Sequence, residues 1–145
     1  MLRELGILSR AIHHISDVKY KEFNLQKGQF VFLTRICENP RINFIELSNM
    51  LKVDKTTTTK AVSKLIDLGY VYKECDKLDK RAYNLMPTAK GLEIYVHIIE
   101  EENRSIDVCF DGFSEEDKDL ALELMRKMRK NIELDWINTK NKGDR

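Results

Sequence analysis

The reading of the chain turns on residues Asn43 to Met86, NFIELSNMLKVDKTTTTKAVSKLIDLGYVYKECDKLDKRAYNLM. Asn43 and Glu46 stand at the N-x-x-E spacing of a capping box, with Ile42 and Leu47 at the two staple positions around it. This predicts a short helix that starts at Phe44, turns Leu47, Met50 and Leu51 inward, and stops at Lys52-Val53. Asp54 is then a strong N-cap for a helix from Lys55 to Leu68, because its carboxylate can accept a bond from the amide of Thr56 or Thr57. Gly69 closes that helix where a left-handed backbone is wanted. Tyr70 to Cys75 and Arg81 to Met86 are β-prone and flank Asp76-Lys-Leu-Asp-Lys80, which predicts a charged hairpin too short to stand without helices to lie on.

Leu47, Leu51, Val53, Thr58, Val62 and Leu65 have the spacing of a helix-turn-helix, and a hairpin in the position that follows reads as a wing. Thr56 to Thr59 are four β-branched residues in a row and poor helix formers, so something other than propensity put them there. Near the start of a recognition helix, small hydroxyl side chains can bond phosphates or base edges and offer a methyl to thymine. The plainer alternative is a polar helix start with Thr58 in the core. Thr58, Val62 and Leu65 share one face, which leaves Lys55, Thr56, Thr57, Thr59, Lys60, Ser63 and Lys64 as exposed candidates for DNA contact. Lys73, Lys77, Lys80 and Arg81 of the hairpin join them, since basic groups on a projecting ribbon can follow phosphates or enter a minor groove. Asp76 and Asp79 are expected to buttress the wing by holding these cations in ion pairs.

At 145 residues and 42% hydrophobic, the chain can bury one sizeable core, and 34% charged residues argues for a soluble surface. Two Pro and six Gly favour long helices. The formal net charge of +1 says nothing for nucleic acid, so a basic footprint must be local. From Lys52 to Arg81, eight Lys and Arg outnumber five acids, whereas acids dominate from Glu100 to Glu123. Cys37, Cys75 and Cys109 are odd in number and widely spaced, which suggests neither a disulfide framework nor a zinc knuckle and places the chain in a reducing cytoplasm. The first residues lack the pattern of a signal peptide, and no apolar run approaches the roughly 18 to 20 residues of a membrane span.

Around the central stretch the periodicity is helical. Leu5, Leu8, Ile12 and Ile15 line one face of a first helix from about Arg3 to Tyr20, a stripe that needs a partner. A second helix runs from about Lys27 to Glu38, with Phe30, Leu33, Ile36 and Cys37 inward and Pro40 marking its end. Thr88 caps a long helix with Leu92, Tyr95, Val96, Ile99, Ile106, Cys109 and Phe110 at its apolar positions. Ser114-Glu-Glu-Asp117 opens a last helix, with Leu120, Leu124, Met128 and Ile132 on one side and a polar tail from Asn138 expected to fray. Cys75, beside the wing, is expected to pack in the core from its strand, the alternative being an oxidation-sensitive site. No nucleophile motif, glycine-rich phosphate loop or metal-spaced His is present, so the reading is not an enzyme, with no metal and no cofactor.

Taken in order, these motifs resemble the MarR family of bacterial transcriptional regulators. The resemblance rests on Leu25 to Pro40, Glu46-Leu-Ser with Leu51 and Val53, Leu65-Ile-Asp-Leu-Gly-Tyr-Val71, the wing Asp76-Lys-Leu-Asp-Lys-Arg81, and Leu85-Met-Pro-Thr-Ala-Lys-Gly91. It implies a mainly α fold with a small β-hairpin wing, in which residues 25–87 form a winged helix-turn-helix lobe. Residues 1–24 and 88–140 would form a helical dimerisation region, with 141–145 a frayed tail. It implies a homodimer on a palindromic operator in double-stranded DNA, acting as a repressor released by a small ligand, with the fourth helix in the major groove and the wing in the minor groove. The family wing reads D-x-R-D-x-R; here Leu78 replaces the first arginine and Arg81 matches the second. The alternative is a winged-helix module that binds another protein through the same face.

Overall fold

Local hydrogen bonding decides where each element begins. The computed structural model describes residues 1–143. In chain order they form α1 (Leu2–Lys19), a 3-10 turn (Lys21–Phe23), α2 (Gln29–Glu38), β1 (Ile42–Asn43), α3 (Phe44–Leu51) and α4 (Lys55–Asp67), then β2 (Val71–Cys75), β3 (Tyr83–Pro87), α5 (Ala89–Cys109) and α6 (Glu115–Gly143). The chain is thus mainly helical, with one small antiparallel sheet in the order β1-β3-β2.

The capping signals act as the sequence implies. Asn43 Oδ1 accepts from the Glu46 amide at 2.8 Å and the Glu46 carboxylate accepts from the Asn43 amide at 3.0 Å, which fixes the start of α3. Lys52, at φ 58°, ends that helix in the left-handed region. Asp54 Oδ1 accepts from the Thr57 amide at 2.6 Å and starts α4. Beyond α4, Gly69 has φ 75°, and the Tyr70 amide returns to the Leu65 carbonyl at 2.9 Å, which turns the chain into β2.

Met1 to Ser105 form one compact unit. Its core gathers Leu25, Phe30, Leu33, Ile36, Leu47, Val62, Leu65, Val71, Leu85 and Ile98, all buried. Each such side chain contributes roughly 1.5–3 kcal/mol by leaving water. Two tyrosines extend this core with directed bonds: Tyr20 donates to the Ile98 carbonyl at 3.2 Å and Tyr70 to the Phe23 carbonyl at 2.9 Å. At Gly91 the first turn of α5 crosses the Tyr70 carbonyl so closely that a Cβ would collide with it.

Several expectations are corrected. The second helix starts at Gln29 instead of Lys27, because Lys27 and Gly28 both take positive φ. Met50 is 43% exposed, with Sδ 3.8 Å from Asn39 Nδ2, because an eight-residue helix turns Leu47 and Ser48 into the core and carries Met50 round to the rim. The return strand starts at Tyr83 instead of Arg81, and its far edge pairs with the two-residue β1, Ile42 opposite Leu85 and Asn43 opposite Asn84. On α5 the buried side chain is Ile98, with Ile94 packed against the core, while Leu92 and Val96 are exposed.

The second unit starts at Ile106. In it Phe110 and Phe113 meet edge to face with ring centroids 5.5 Å apart. Ser114 Oγ accepts from the Asp117 amide at 3.1 Å and opens α6. None of the α6 residues is buried, and Leu120, Leu124, Met128 and Ile132 are exposed. The helix continues through Asn138 to Gly143 where fraying was expected, with Lys140 over the Trp136 ring at 5.1 Å; Asp144 and Arg145, also assigned to the frayed tail, lie outside the described residues.

Candidate nucleic-acid interface

Every basic or hydroxyl residue singled out as a candidate on α4 lies on its exposed side: Lys55, Thr56, Thr57, Thr59, Lys60, Ser63 and Lys64. The opposite side, Thr58, Ala61, Val62 and Leu65, is buried. The threonines divide by task. Thr57 Oγ1 donates to Asp54 Oδ2 at 3.0 Å and strengthens the cap. Thr58 Oγ1 donates to the Asp54 carbonyl at 3.0 Å and accepts from Ser48 Oγ at 2.7 Å, which ties α4 to α3. Thr59 Oγ1 bonds back to the Lys55 carbonyl at 2.9 Å, whereas Thr56 makes no side-chain bond among the described residues. The exposed face therefore carries unpaired ammonium groups and hydroxyl oxygens with free lone pairs, a surface suited to phosphate and base edges.

The first turn of α4 holds no acid beyond its cap, Asp54, whose carboxyl is held below its ordinary value by the Thr57 amide and hydroxyl. It therefore stays ionised and committed to the cap.

The wing is built on Asp76. Its amide donates to the Ala82 carbonyl at 3.0 Å and closes the loop. Its Oδ1 accepts from the Leu78 amide at 2.8 Å and the Asp79 amide at 3.1 Å, and its Oδ2 accepts from Asn84 Nδ2 at 3.0 Å. These bonds, with a smaller contribution from the charge of Arg41, hold its carboxyl below the ordinary value. Asp79 Oδ1 takes the Arg81 amide at 3.0 Å. The two carboxylates thus fold the loop through backbone amides in place of the expected ion pairs, and no ion pair to Lys77, Lys80 or Arg81 occurs among the described residues. Short Asp side chains reach amides two and three residues on more readily than they reach the ends of long cations. Lys77, Lys80 and Arg81 are all exposed, and Leu78 is 99% exposed.

Lys73 stands over the Tyr83 ring at 5.1 Å, and both residues are exposed. Arg41, absent from the candidates because it precedes the capping box, holds φ 75° and bonds its amide to the Leu85 carbonyl at 2.9 Å. No local signal marks it; only the pairing of β1 with β3 brings its charge to bear on Asp76.

The cysteines separate by environment. Cys37 is half-buried and burial pushes its thiol up to about 11, with Glu38 adding to the shift. Cys75 is exposed, contrary to the expected strand packing, because it is the last residue of β2, at the wing loop and away from the end of the strand where Val71 enters the core; its Sγ lies 3.4 Å from the Lys80 carbonyl. An open cleft of about 350 Å³ lies between the end of α1 and α5, where Phe23 stacks on His97 at 5.7 Å and Glu101 pairs with Lys19 and Arg104. Phe30 and Phe32 are buried in the core. No helix of the described residues is long and apolar enough to cross a membrane.

Comparison with known proteins agrees with this geometry. The MarR family model matches residues 25–83. The chain is 40% identical over 146 residues to the uncharacterized HTH-type transcriptional regulator YybA of Bacillus subtilis strain 168, covering 99% of this chain and 97% of that protein. Among solved structures, it is 64% identical to a MarR protein from Peptoclostridium difficile, with a TM-score of 0.90 over 95% of this chain and 90% of that one. It is 38% identical to a putative MarR family transcriptional regulator from Listeria monocytogenes complexed with 26mer DNA, with a TM-score of 0.94 over 97% of this chain and 94% of that one. The exposed Thr and Lys face of a tightly capped helix pair, the wing beside it and these relatives agree: the chain belongs to the MarR family of transcriptional regulators.

Proposed function

We propose that this regulator acts as a homodimer that holds a palindromic DNA operator, represses transcription there, and lets go when a small ligand binds. The observation that carries the reading is the α4 face, on which every Lys and Thr candidate is exposed while Thr58, Val62 and Leu65 anchor the helix from behind. Lys55, Lys60 and Lys64 would neutralise phosphates, Thr56, Thr57, Thr59 and Ser63 would meet base edges and sugar, and Lys73, Lys77, Lys80 and Arg81 would follow the backbone at the wing.

Two apolar surfaces support assembly with a second copy. On α1, Leu2, Leu5, Leu8 and Ile15 are exposed; on α6, so are Leu120, Leu124, Met128 and Ile132. Stripes of that length at helical spacing are costly to leave in water and suit a helix-helix seam. The cleft beside Phe23 and His97 is the candidate seat of an effector, although its charges already pair with one another, so a ligand would have to compete with the Glu101 pairs. The reading is that of a binding protein without catalytic chemistry of its own, working in the cytoplasm.

Selection of bound fragments from random duplex DNA by the full chain, with mass measured by light scattering, tests this. The expected result is an enriched palindrome with half-sites about 34 to 36 Å apart and a particle of two chains. Absence of any enriched sequence, with tight capture of a protein instead, would favour the protein-interaction module over the operator-binding reading.

A further inference from the structure

The wing tip holds a side chain whose chemistry the charged surroundings do not explain. Leu78 is 99% exposed at the summit of the loop between β2 and β3. It is not loosely displayed. The Asp76 carboxylate accepts from the Leu78 amide at 2.8 Å and from the Asp79 amide at 3.1 Å, and is itself held by Asn84, which is buried in the middle strand of the sheet. The backbone beneath Leu78 is therefore anchored to the core through side-chain bonds, and the isobutyl group projects from a fixed point.

Its chain neighbours are Lys77 on one side and, just beyond Asp79, Lys80 and Arg81, all exposed. An apolar group ringed by unpaired cations and presented on a rigid turn has the composition of a wedge for a polyanionic groove: the cations meet the phosphates on the rims, and the apolar tip meets the sugar walls and a base step between them. A Leu left in water gains nothing from that placement, whereas one seated in a groove recovers its hydrophobic contribution on binding.

We propose that Leu78 is the specificity-determining residue of the wing, an apolar wedge in the minor groove that selects flanking base steps by how readily they open. The inference rests on the operator-binding reading above. A cationic tip would be drawn to the narrow, strongly negative minor groove of an A-tract; an apolar tip has no such attraction and favours flexible pyrimidine-purine steps such as TA and CA/TG, which unstack at low cost. The flanks of the operator are thereby read through deformability, at positions separate from those under α4.

The test repeats the selection from random duplex DNA with wild type, Leu78→Ala and Leu78→Arg, then measures affinity and its salt dependence on the enriched sites. Because Leu78 touches no core residue, both variants should keep the wild-type thermal midpoint. Wild type should enrich a half-site flanked by a pyrimidine-purine step. Leu78→Ala should keep the half-site, lose the flank preference and bind about tenfold more weakly, with the salt slope unchanged. Leu78→Arg should move the flank preference to A-tracts and steepen the salt slope by about one. Enrichment of the half-site with the same flank and affinity in Leu78→Ala, or a wild-type preference for A-tracts, overturns the proposal and leaves operator binding standing. No enrichment by wild type removes both.

Discussion

The Ser48 hydroxyl lies 2.7 Å from Thr58 Oγ1 in the buried seam between α3 and α4, and the Thr58 hydroxyl is in turn committed to the Asp54 carbonyl at 3.0 Å. Ser48 is therefore the donor of the pair. Thr58→Val would keep the shape of the side chain but leave the Ser48 hydroxyl buried without an acceptor, a loss of about 1–3 kcal/mol. Adding Ser48→Ala removes the orphan, so the double variant should lie closer to wild type than the sum of the single losses. Urea denaturation of the three variants measures this coupling.

The caps make the protein sensitive to acid. Asp54 and Asp76 titrate below the ordinary value of 3.8, each because backbone amides donate to its carboxylate. The unfolded chain then binds these protons before the folded one does. Their stabilisation is complete above that ordinary value and fades as pH falls through the lower folded values. A thermal-melt series from about pH 5 to about pH 2 should show a steeper fall for wild type than for Asp54→Asn or Asp76→Asn. Equal slopes would mean that the carboxylates contribute no more than neutral caps.

Gly91 answers a different constraint. Any Cβ at this position meets the Tyr70 carbonyl, and backbone on both sides leaves no flexible side chain to give way. Gly91→Ala should cost about 1–3 kcal/mol by overpacking, the reverse of the usual gain from replacing Gly in a helix. Chemical denaturation reads the sign directly.

For the proposed interface, Lys60→Ala and Arg81→Ala should each weaken operator binding and lower the slope of log affinity against log salt by about one, if each side chain neutralises one phosphate. Both residues are exposed and neither pairs with an acid among the described residues, so melting temperatures should not change. Fluorescence anisotropy over a range of salt concentrations measures the slope.

Thiol labelling should separate Cys75 from Cys37. Cys75 is exposed on an edge strand, whereas burial holds the Cys37 thiol up to about 11. Alkylation near neutral pH should reach Cys75 in the folded protein and Cys37 only after unfolding, followed by peptide mass mapping.

The sequence spoke most clearly where a signal is local. Asn43 with Glu46 and Asp54 with Thr57 are bonds across three residues, so their spacing alone places the starts of α3 and α4. Gly69 and Thr88 mark their turns for the same reason, the latter accepting from the Gly91 amide at 3.0 Å. What depends on a distant partner was illegible. The strand Ile42–Asn43 exists because Leu85 and Asn84 lie opposite it. Likewise Ile98 is inward because Tyr20 and the core of the first unit meet that side of α5, while the stripe through Leu92 and Val96, equally apolar in sequence, faces out. At the wing, charge alone suggested that Asp76 and Asp79 hold cations, and only the loop geometry reveals that backbone amides reach them first.

One chain of contacts joins the two ends of the candidate interface. Asn43 caps α3 and, as the last residue of β1, lies opposite Asn84; Asn84 grips Asp76, and Asp76 fixes the amide under Leu78. With the Ser48 and Thr58 bond joining α3 to α4, α4 and the wing tip become the two jaws of a caliper linked through side-chain bonds. Such a lobe cannot stretch or shorten to suit a poorly spaced site. On the proposed operator it would either fit the step from one groove to the next or fail to seat, and in the proposed homodimer any adjustment would come from moving whole lobes.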